Sequence, residues 1–443
     1  MTATPAPARP RALTAPAHDR TVLPSGLRVV TQAMPGARSA SVAIFVGVGS
    51  RHEDDAHAGL SHLLEHLVFK GTRAHPQAGT LSQQVEGIGG SVNASTDREL
   101  TVFSSKVPAE RTDVALEAVS ELALHPLLRG QDLRAEKPVI VDEIRMYVDS
   151  PSDHIFTIFD EMLYGRHPLG REIAGTIGSV RRATHTGVVE HWRSAYRMES
   201  MVLAVAGAID HDTVVRTAAA WRADGPEHDG RPPGPAPKAG QAPHPAAAGT
   251  MRVSYRRLSQ GNLCLGMPGV ARDDPDRWAL DLLGAILGDG MGSRLFMDLR
   301  ERRSLVYDVS TFGASYADAG TFGVHAGFAP DDAERVVAAI IEQLDRITSD
   351  PVIVGELDRA RAYTRGRLEL RMEDSGAVAG WIGNGEALLP RILSVEEVIE
   401  QLDAVTIEDL LRVARRILAP GNARLAVLGP FRSRARLERA LRT

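Results

Sequence analysis

Two histidines and a glutamate stand together at His62-Leu-Leu-Glu65-His66. On a helix, positions i and i+4 share a face, so both imidazoles can grip one metal ion. Glu65, three residues after His62, lies on that same side. The order is H-x-x-E-H, the reverse of the common zinc-protease helix. A metal held there, with a carboxylate beside it, implies hydrolysis by an activated water.

The flanking residues supply the helix. Leu60, Leu63, Leu64, Leu67 and Val68 follow the i, i+3, i+4, i+7, i+8 pattern and form one apolar stripe. At about 100° per residue, His62, Glu65 and His66 project from the opposite side. The stripe packs on a core while the polar side looks into a cleft. Gly71 is the expected C-cap.

The chain has 443 residues, of which 43% are hydrophobic. That length predicts more than one domain. The net charge of −5 and pI near 6.3 argue against a nucleic-acid binder. No run of 18 apolar residues occurs, so no membrane span is expected. Cys264 is the single cysteine, which excludes an intramolecular disulfide and a cysteine zinc site. The Ala/Pro-rich start lacks the apolar core of a secretory signal. Residues 1–20 read as a disordered leader, and the expected compartment is the cytoplasm.

Residues 225–249 hold seven Pro and five Gly without apolar period and read as a linker. They separate a first unit, 21–224, from a second, 250–443. The two look related. Val107–Leu122 can be laid on Ala329–Leu344 without a gap, at a constant offset of 222 residues. A strand-like run precedes each, Leu100–Ser104 and Gly320–Val324, and each unit ends on a helix followed by a strand. This predicts a duplicated unit. In the first, strands are expected near 26–31, 41–47, 90–96 and 100–107, with helices near 110–124 and 132–148. The fold class is α+β: two tandem, related α/β domains, each a mixed sheet covered by helices on one face.

A hydrolytic zinc site needs three protein ligands and one open position. Glu136 and Glu143 are seven residues apart and share a helix face. Spacing alone does not choose between them.

The chain resembles the pitrilysin family of inverted-zincin metallopeptidases, whose members include insulin-degrading enzyme and the β subunit of mitochondrial processing peptidase. The resemblance is closest to the short members and runs from about Thr21 to the C-terminus. Gly59-Leu-Ser-His-Leu-Leu-Glu-His-Leu-Val-Phe-Lys-Gly-Thr72 matches the metal helix almost throughout. Glu143, 77 residues after His66, matches the third zinc ligand, and Glu136 matches an acidic position that supports the ligands from behind. Gly89-Gly-Ser-Val-Asn93-Ala94 resembles the edge strand on which substrate is laid as an added strand. Leu299-Arg300-Glu-Arg-Arg-Ser-Leu-Val-Tyr307 matches an arginine–tyrosine pair that contacts substrate backbone and the scissile carbonyl. Arg300 and Tyr307 either share a helix face or straddle a helix end. Two departures stand out. Pro138 interrupts a stretch that is usually plain helix, so a helix start or bend is expected there. Leu63 replaces a frequent Phe and keeps the apolar pattern.

The resemblance implies one Zn²⁺ per chain on His62, His66 and Glu143, with Glu65 as general base and Arg300 and Tyr307 stabilising charge on the carbonyl oxygen. It implies that each chain forms half of a clamshell around a chamber that admits peptides and unfolded segments. A homodimer suffices, and a heterodimer with a related subunit is the other arrangement. Two further readings stand beside general peptide turnover: a dedicated protease that removes a leader from one precursor, and a non-catalytic structural subunit. The acidic run Glu53-Asp54-Asp55 either favours basic residues near the cut or is a solvated loop.

Overall fold

The computed structural model describes residues 18–222, 250–350 and 352–442. The expected linker, and the expected leader up to residue 17, lie outside the described residues. Eleven strands are present among them: β1 Asp19–Val22, β2 Arg28–Ala33, β3 Ser39–Val46, β4 Ser91–Thr96, β5 Thr101–Pro108, β6 Met201–Gly207, β7 Met251–Tyr255, β8 Gly261–Pro268, β9 Val306–Ser315, β10 Gly320–Phe328 and β11 Arg424–Gly429. The helices that matter for the site and its support are α1 Leu60–Val68, α2 Thr112–Leu124, α3 Gly130–Asp149, α4 Pro151–Tyr164, α5 Arg277–Leu287, α6 Ala333–Ser349 and α7 Ser375–Leu388. Among the described residues no helix is long and apolar enough to cross a membrane.

The strands form two mixed sheets. Their orders are β1-β2-β6-β3-β5-β4 and β7-β11-β8-β10-β9. The last strand of each unit enters its sheet the same way. β6 runs parallel to β2 and antiparallel to β3, and β11 runs parallel to β7 and antiparallel to β8. The segment carrying the sequence repeat folds alike in both: β5 leads through a 3₁₀ turn into α2, and β10 leads through another into α6. Two mixed sheets with one topology are the expected duplicated α/β architecture. β1 extends the first sheet and opens at Asp19, two residues before the anticipated start of that unit.

Alternation along the strands decides what covers each face. In β3, Val42, Ile44 and Val46 join the core made with α1, α2 and α3. Ala43 and Phe45 point the other way. They meet Ile382 of α7, a helix from the second unit. The exchange is reciprocal: Cys264 of β8 and Ala426 and Leu428 of β11 pack on Ile155, Ile158 and Phe159 of α4, from the first unit. Each unit's own helices therefore cover one face of its sheet, and a helix lent by the other unit covers the opposite face. Gly383 makes the fit of α7 possible, since a Cβ there would lie 2.0 Å from Cε2 of Phe45.

Two local expectations change. The metal-motif helix ends at Val68 with Phe69 as its C-cap, so Gly71 is not the cap. Gly71 adopts φ of +140°, and a Cβ there would stand 2.5 Å from the Pro76 carbonyl oxygen. It serves the following loop instead. Helix α3 runs from Gly130 to Asp149 with Pro138 inside it, so no helix starts there.

Candidate metal centre

Helix α1 enters the site from a fixed end. Gly59, its N-cap, has φ of +91°, a conformation glycine adopts without strain. Glu53 accepts the N–H groups of Gly59 (2.7 Å) and Ser61 (2.6 Å), satisfying donors that a helix start leaves open. Asp54 accepts from the amides of Ala56 and His57, and Asp55 pairs with Arg171 at 2.8 Å. The acidic run is thus engaged in building the approach to the helix. Leu60, Leu63, Leu64, Leu67 and Val68 are all buried, as the stripe predicts.

The other side of α1 presents the two imidazoles to α3. The rings lie 4.7 Å apart, centroid to centroid, at 66°. Nε2 of His62 is 3.6 Å from Oε1 of Glu143, and Nε2 of His66 is 3.3 Å from Oε2 of the same carboxylate. Ligand atoms of the three residues lie within 4.8 Å of one another. Of the two glutamates on α3, Glu143 therefore joins the histidines. Glu136 stands behind His66, its Oε1 3.0 Å from Nδ1, while its Oε2 is 2.6 Å from Nζ of Lys70. A carboxylate only accepts, so Nδ1 of His66 donates to Glu136 and Nε2 is the atom turned towards Glu143. Burial, reinforced by neighbouring His66, pushes the His62 imidazole down to about 4, so it is neutral at pH 7. Two imidazoles that both turn Nε2 towards one carboxylate fit a zinc ion and its His₂Glu donor set.

Glu65 adjoins this cluster without entering it. Its Oε2 accepts from Thr96 Oγ1 at 2.5 Å. Burial raises its carboxyl above the usual range, with Glu143 adding to the rise, while Thr96 and His66 oppose it. A carboxylate poised upward suits proton transfer near neutral pH.

Thr96 ends β4, which among the described residues pairs only with β5 and so leaves its other edge open. Asn93 and Ala94 lie on this strand, and the Ala94 N–H donates to Asn93 Oδ1 at 2.9 Å. The open edge thus passes directly beside Glu65.

Arg300 and Tyr307 lie elsewhere. Arg300 belongs to a π-helical segment, Phe296–Arg302, and its guanidinium sits 4.8 Å from the Phe296 ring centroid. Tyr307 is on β9, the edge of the second sheet; it is 43% exposed and its hydroxyl donates to the Phe328 carbonyl oxygen at 3.3 Å. The pair straddles a helix end. Neither supplies an atom to the cluster of His62, His66 and Glu143.

Three neighbours of the site escape motif reading. Lys70, one turn beyond His66, completes the chain from His66 through Glu136. Thr96 carries no signal beyond its place at a strand end. Tyr147 follows Glu143 by one turn of α3 and is 47% exposed. Partial burial and the carboxylates of Glu143, Glu172, Asp153 and Glu65 push its phenol up. It lines a cavity of about 730 Å³ together with Ala58, Ile144, Thr157 and Glu172. Its helical spacing from Glu143 was the available clue.

A two-sheet α/β fold with an H-x-x-E-H helix facing a glutamate defines the class of inverted zinc metalloproteases. The chain belongs to peptidase family M16. The family described as "Insulinase (Peptidase family M16)" matches residues 28–177, and "Peptidase M16 inactive domain" matches residues 182–363. The chain is 36% identical to a protein of Streptomyces coelicolor named as an uncharacterized zinc protease, over 94% of this chain and 90% of that one. It is 31% identical to the mitochondrial-processing peptidase subunit beta of Saccharomyces cerevisiae, over 92% and 90%. Among solved structures, a protease from Helicobacter pylori superposes with a TM-score of 0.85 at 22% identity, covering 94% of this chain and all of that one, which speaks for the fold.

Proposed function

We propose that the protein is a zinc-dependent endopeptidase that cleaves internal bonds of peptides or unfolded segments. The observation that carries this reading is the convergence of His62, His66 and Glu143 beside Glu65, at the open edge of β4. His62, His66 and Glu143 would hold the ion. Zinc, when bound, supplies Lewis acidity to a water and to the scissile carbonyl.

The chain's own groups do the rest. Backbone groups on the open edge of β4, around Asn93 and Ala94, bind an extended substrate as an added strand, which gives affinity without demanding one sequence. Glu65 takes the proton of the attacking water and passes it to the leaving amine. Thr96 aims that carboxylate, and Glu136 with Lys70 keeps His66 in its ligating tautomer. Arg300 and Tyr307 come from a second copy of the chain, closing the chamber as the other half of a clamshell. Tyr307 and Arg300 then meet the carbonyl oxygen and the substrate backbone.

Similarity to a processing-peptidase subunit favours, as a second reading, removal of a leader from one precursor. Mass spectrometry of products from a mixed peptide library separates the two: many cut sites mean general turnover, a single tight context means dedicated processing. A structural subunit has no use for Glu65. The decisive test is Glu65→Gln with metal analysis. The variant should keep about one zinc per chain and lose cleavage of an unstructured peptide by roughly 10²-fold or more. Full activity in the variant would remove Glu65 as base; a zinc-free, chelator-insensitive wild type would overturn the function.

A further inference from the structure

Two arms hold Glu65 in place. One is α1, anchored at its start by Glu53. The other is β4, whose Thr96 bonds the carboxylate. The arms meet at the tip of the β4–β5 hairpin. There the segment before Glu53 is strapped to the tip: the N–H of Ser50 donates to Asp97 O (3.1 Å), that of Arg51 to Arg98 O (3.0 Å), and Thr101 Oγ1 to Val48 O (2.9 Å).

The strap and tip are then clamped by the second unit. Glu99 accepts from Arg51 of the strap, and from Arg272 and the Ala317 N–H (3.0 Å) of the second unit. Arg51 reaches on to Asp318 at 2.6 Å. Arg98 donates to Tyr316 Oη at 2.9 Å and pairs with Asp160 at 2.7 Å. Arg51 and Glu99 are only 4% and 8% exposed. Charges so deeply placed are held by one another, and loss of one strands the rest.

We propose that Glu99, with Arg51, Arg272 and Asp318, forms a positioning knot through which the second unit sets the distance between α1 and β4, and so the aim of Glu65. The second unit thereby serves its own chain's site, apart from anything it offers a partner. The inference rests on the assignment of Glu65 as base. It explains why a hairpin tip beside an open edge carries buried ions: a free tip would let β4 drift from the helix. Misplacement of a catalytic group by about 1 Å can cost as much as 10²-fold in rate.

The test compares two links between the units in the zinc-loaded full-length protein. Glu99→Gln breaks the knot. Asp374→Asn breaks the Lys106–Asp374 pair, which ties α7 to β5 and does not touch the strap. Hydrogen–deuterium exchange and peptide cleavage are read on both. Glu99→Gln should speed exchange in residues 91–101 and 59–62 and lower kcat about tenfold or more at unchanged zinc content. Asp374→Asn should lower the melting temperature and loosen residues 375–388 while kcat stays near wild type. Unchanged exchange at 91–101 in Glu99→Gln, or an equal loss of kcat in both, would overturn the knot. If the wild type cleaves no peptide, the endopeptidase reading falls while the exchange data still decide the positioning claim. Should Glu99→Gln fail to fold, Asp318→Asn, at a part-exposed site, carries the same comparison.

Discussion

Thr96 Oγ1 donates to Glu65 Oε2 at 2.5 Å, across the gap between an edge strand and the metal-motif helix. The bond joins the surface proposed to bind substrate to the group proposed to move its proton. It also opposes the rise that burial imposes on the Glu65 carboxyl.

Replacing Thr96 by Val removes that opposition. The folded carboxyl then titrates at higher pH. Since a base works deprotonated, the acidic limb of kcat/KM should move upward, and the loss should be greater at pH 6 than at pH 8. A pH–rate profile measured on both proteins checks this; superimposable limbs would detach Thr96 from the mechanism.

Glu136→Gln leaves the three ligand atoms intact but weakens the hold on His66 Nδ1 and releases Lys70. Zinc affinity should fall by about 10- to 100-fold. Competition with a chromophoric chelator measures it directly. An unaltered affinity would reduce Glu136 to packing.

Arg300 and Tyr307 are proposed to serve the partner's site, so complementation is expected. Glu65→Gln and Tyr307→Phe chains should each be impaired alone. Mixed after subunit exchange, half the dimers pair unlike chains, and each of these holds one intact site. About a quarter of wild-type activity should return. No recovery despite verified exchange would place Tyr307 in its own chain's chemistry or outside it.

The lent helix α7 lies against β3 with no spare room at Gly383. Gly383→Ala places a methyl 2.0 Å from Phe45 Cε2. Overpacking there should destabilise the fold by about 1–3 kcal/mol. Thermal unfolding reads the loss; a wild-type melting temperature would mean that α7 does not seat as described.

The metal-motif helix, the pairing of His62 with His66, and the candidacy of Glu143 were legible in the chain because each depends on helical spacing. A period of 3.6 residues places side chains on faces before any tertiary contact forms. The duplicated unit was legible for a similar reason, as a strand followed by an amphipathic helix repeated at one offset. The structure differs at two points: the metal-motif helix is capped by Phe69 rather than Gly71, and α3 begins at Gly130 rather than at Pro138.

What only the folded chain decided are the contacts between distant segments. Glu143, which spacing alone did not separate from Glu136 and which the family resemblance favoured, neighbours both Nε2 atoms; Thr96 found Glu65, and each unit lent a helix to the other's sheet. Arg51, Glu99, Arg272 and Asp318 span 267 residues of chain and meet in one knot. No periodicity links such positions. They are brought together by the packing of sheets and helices, so the sequence by itself determined the chemistry available at α1, and the tertiary structure decided what aims it.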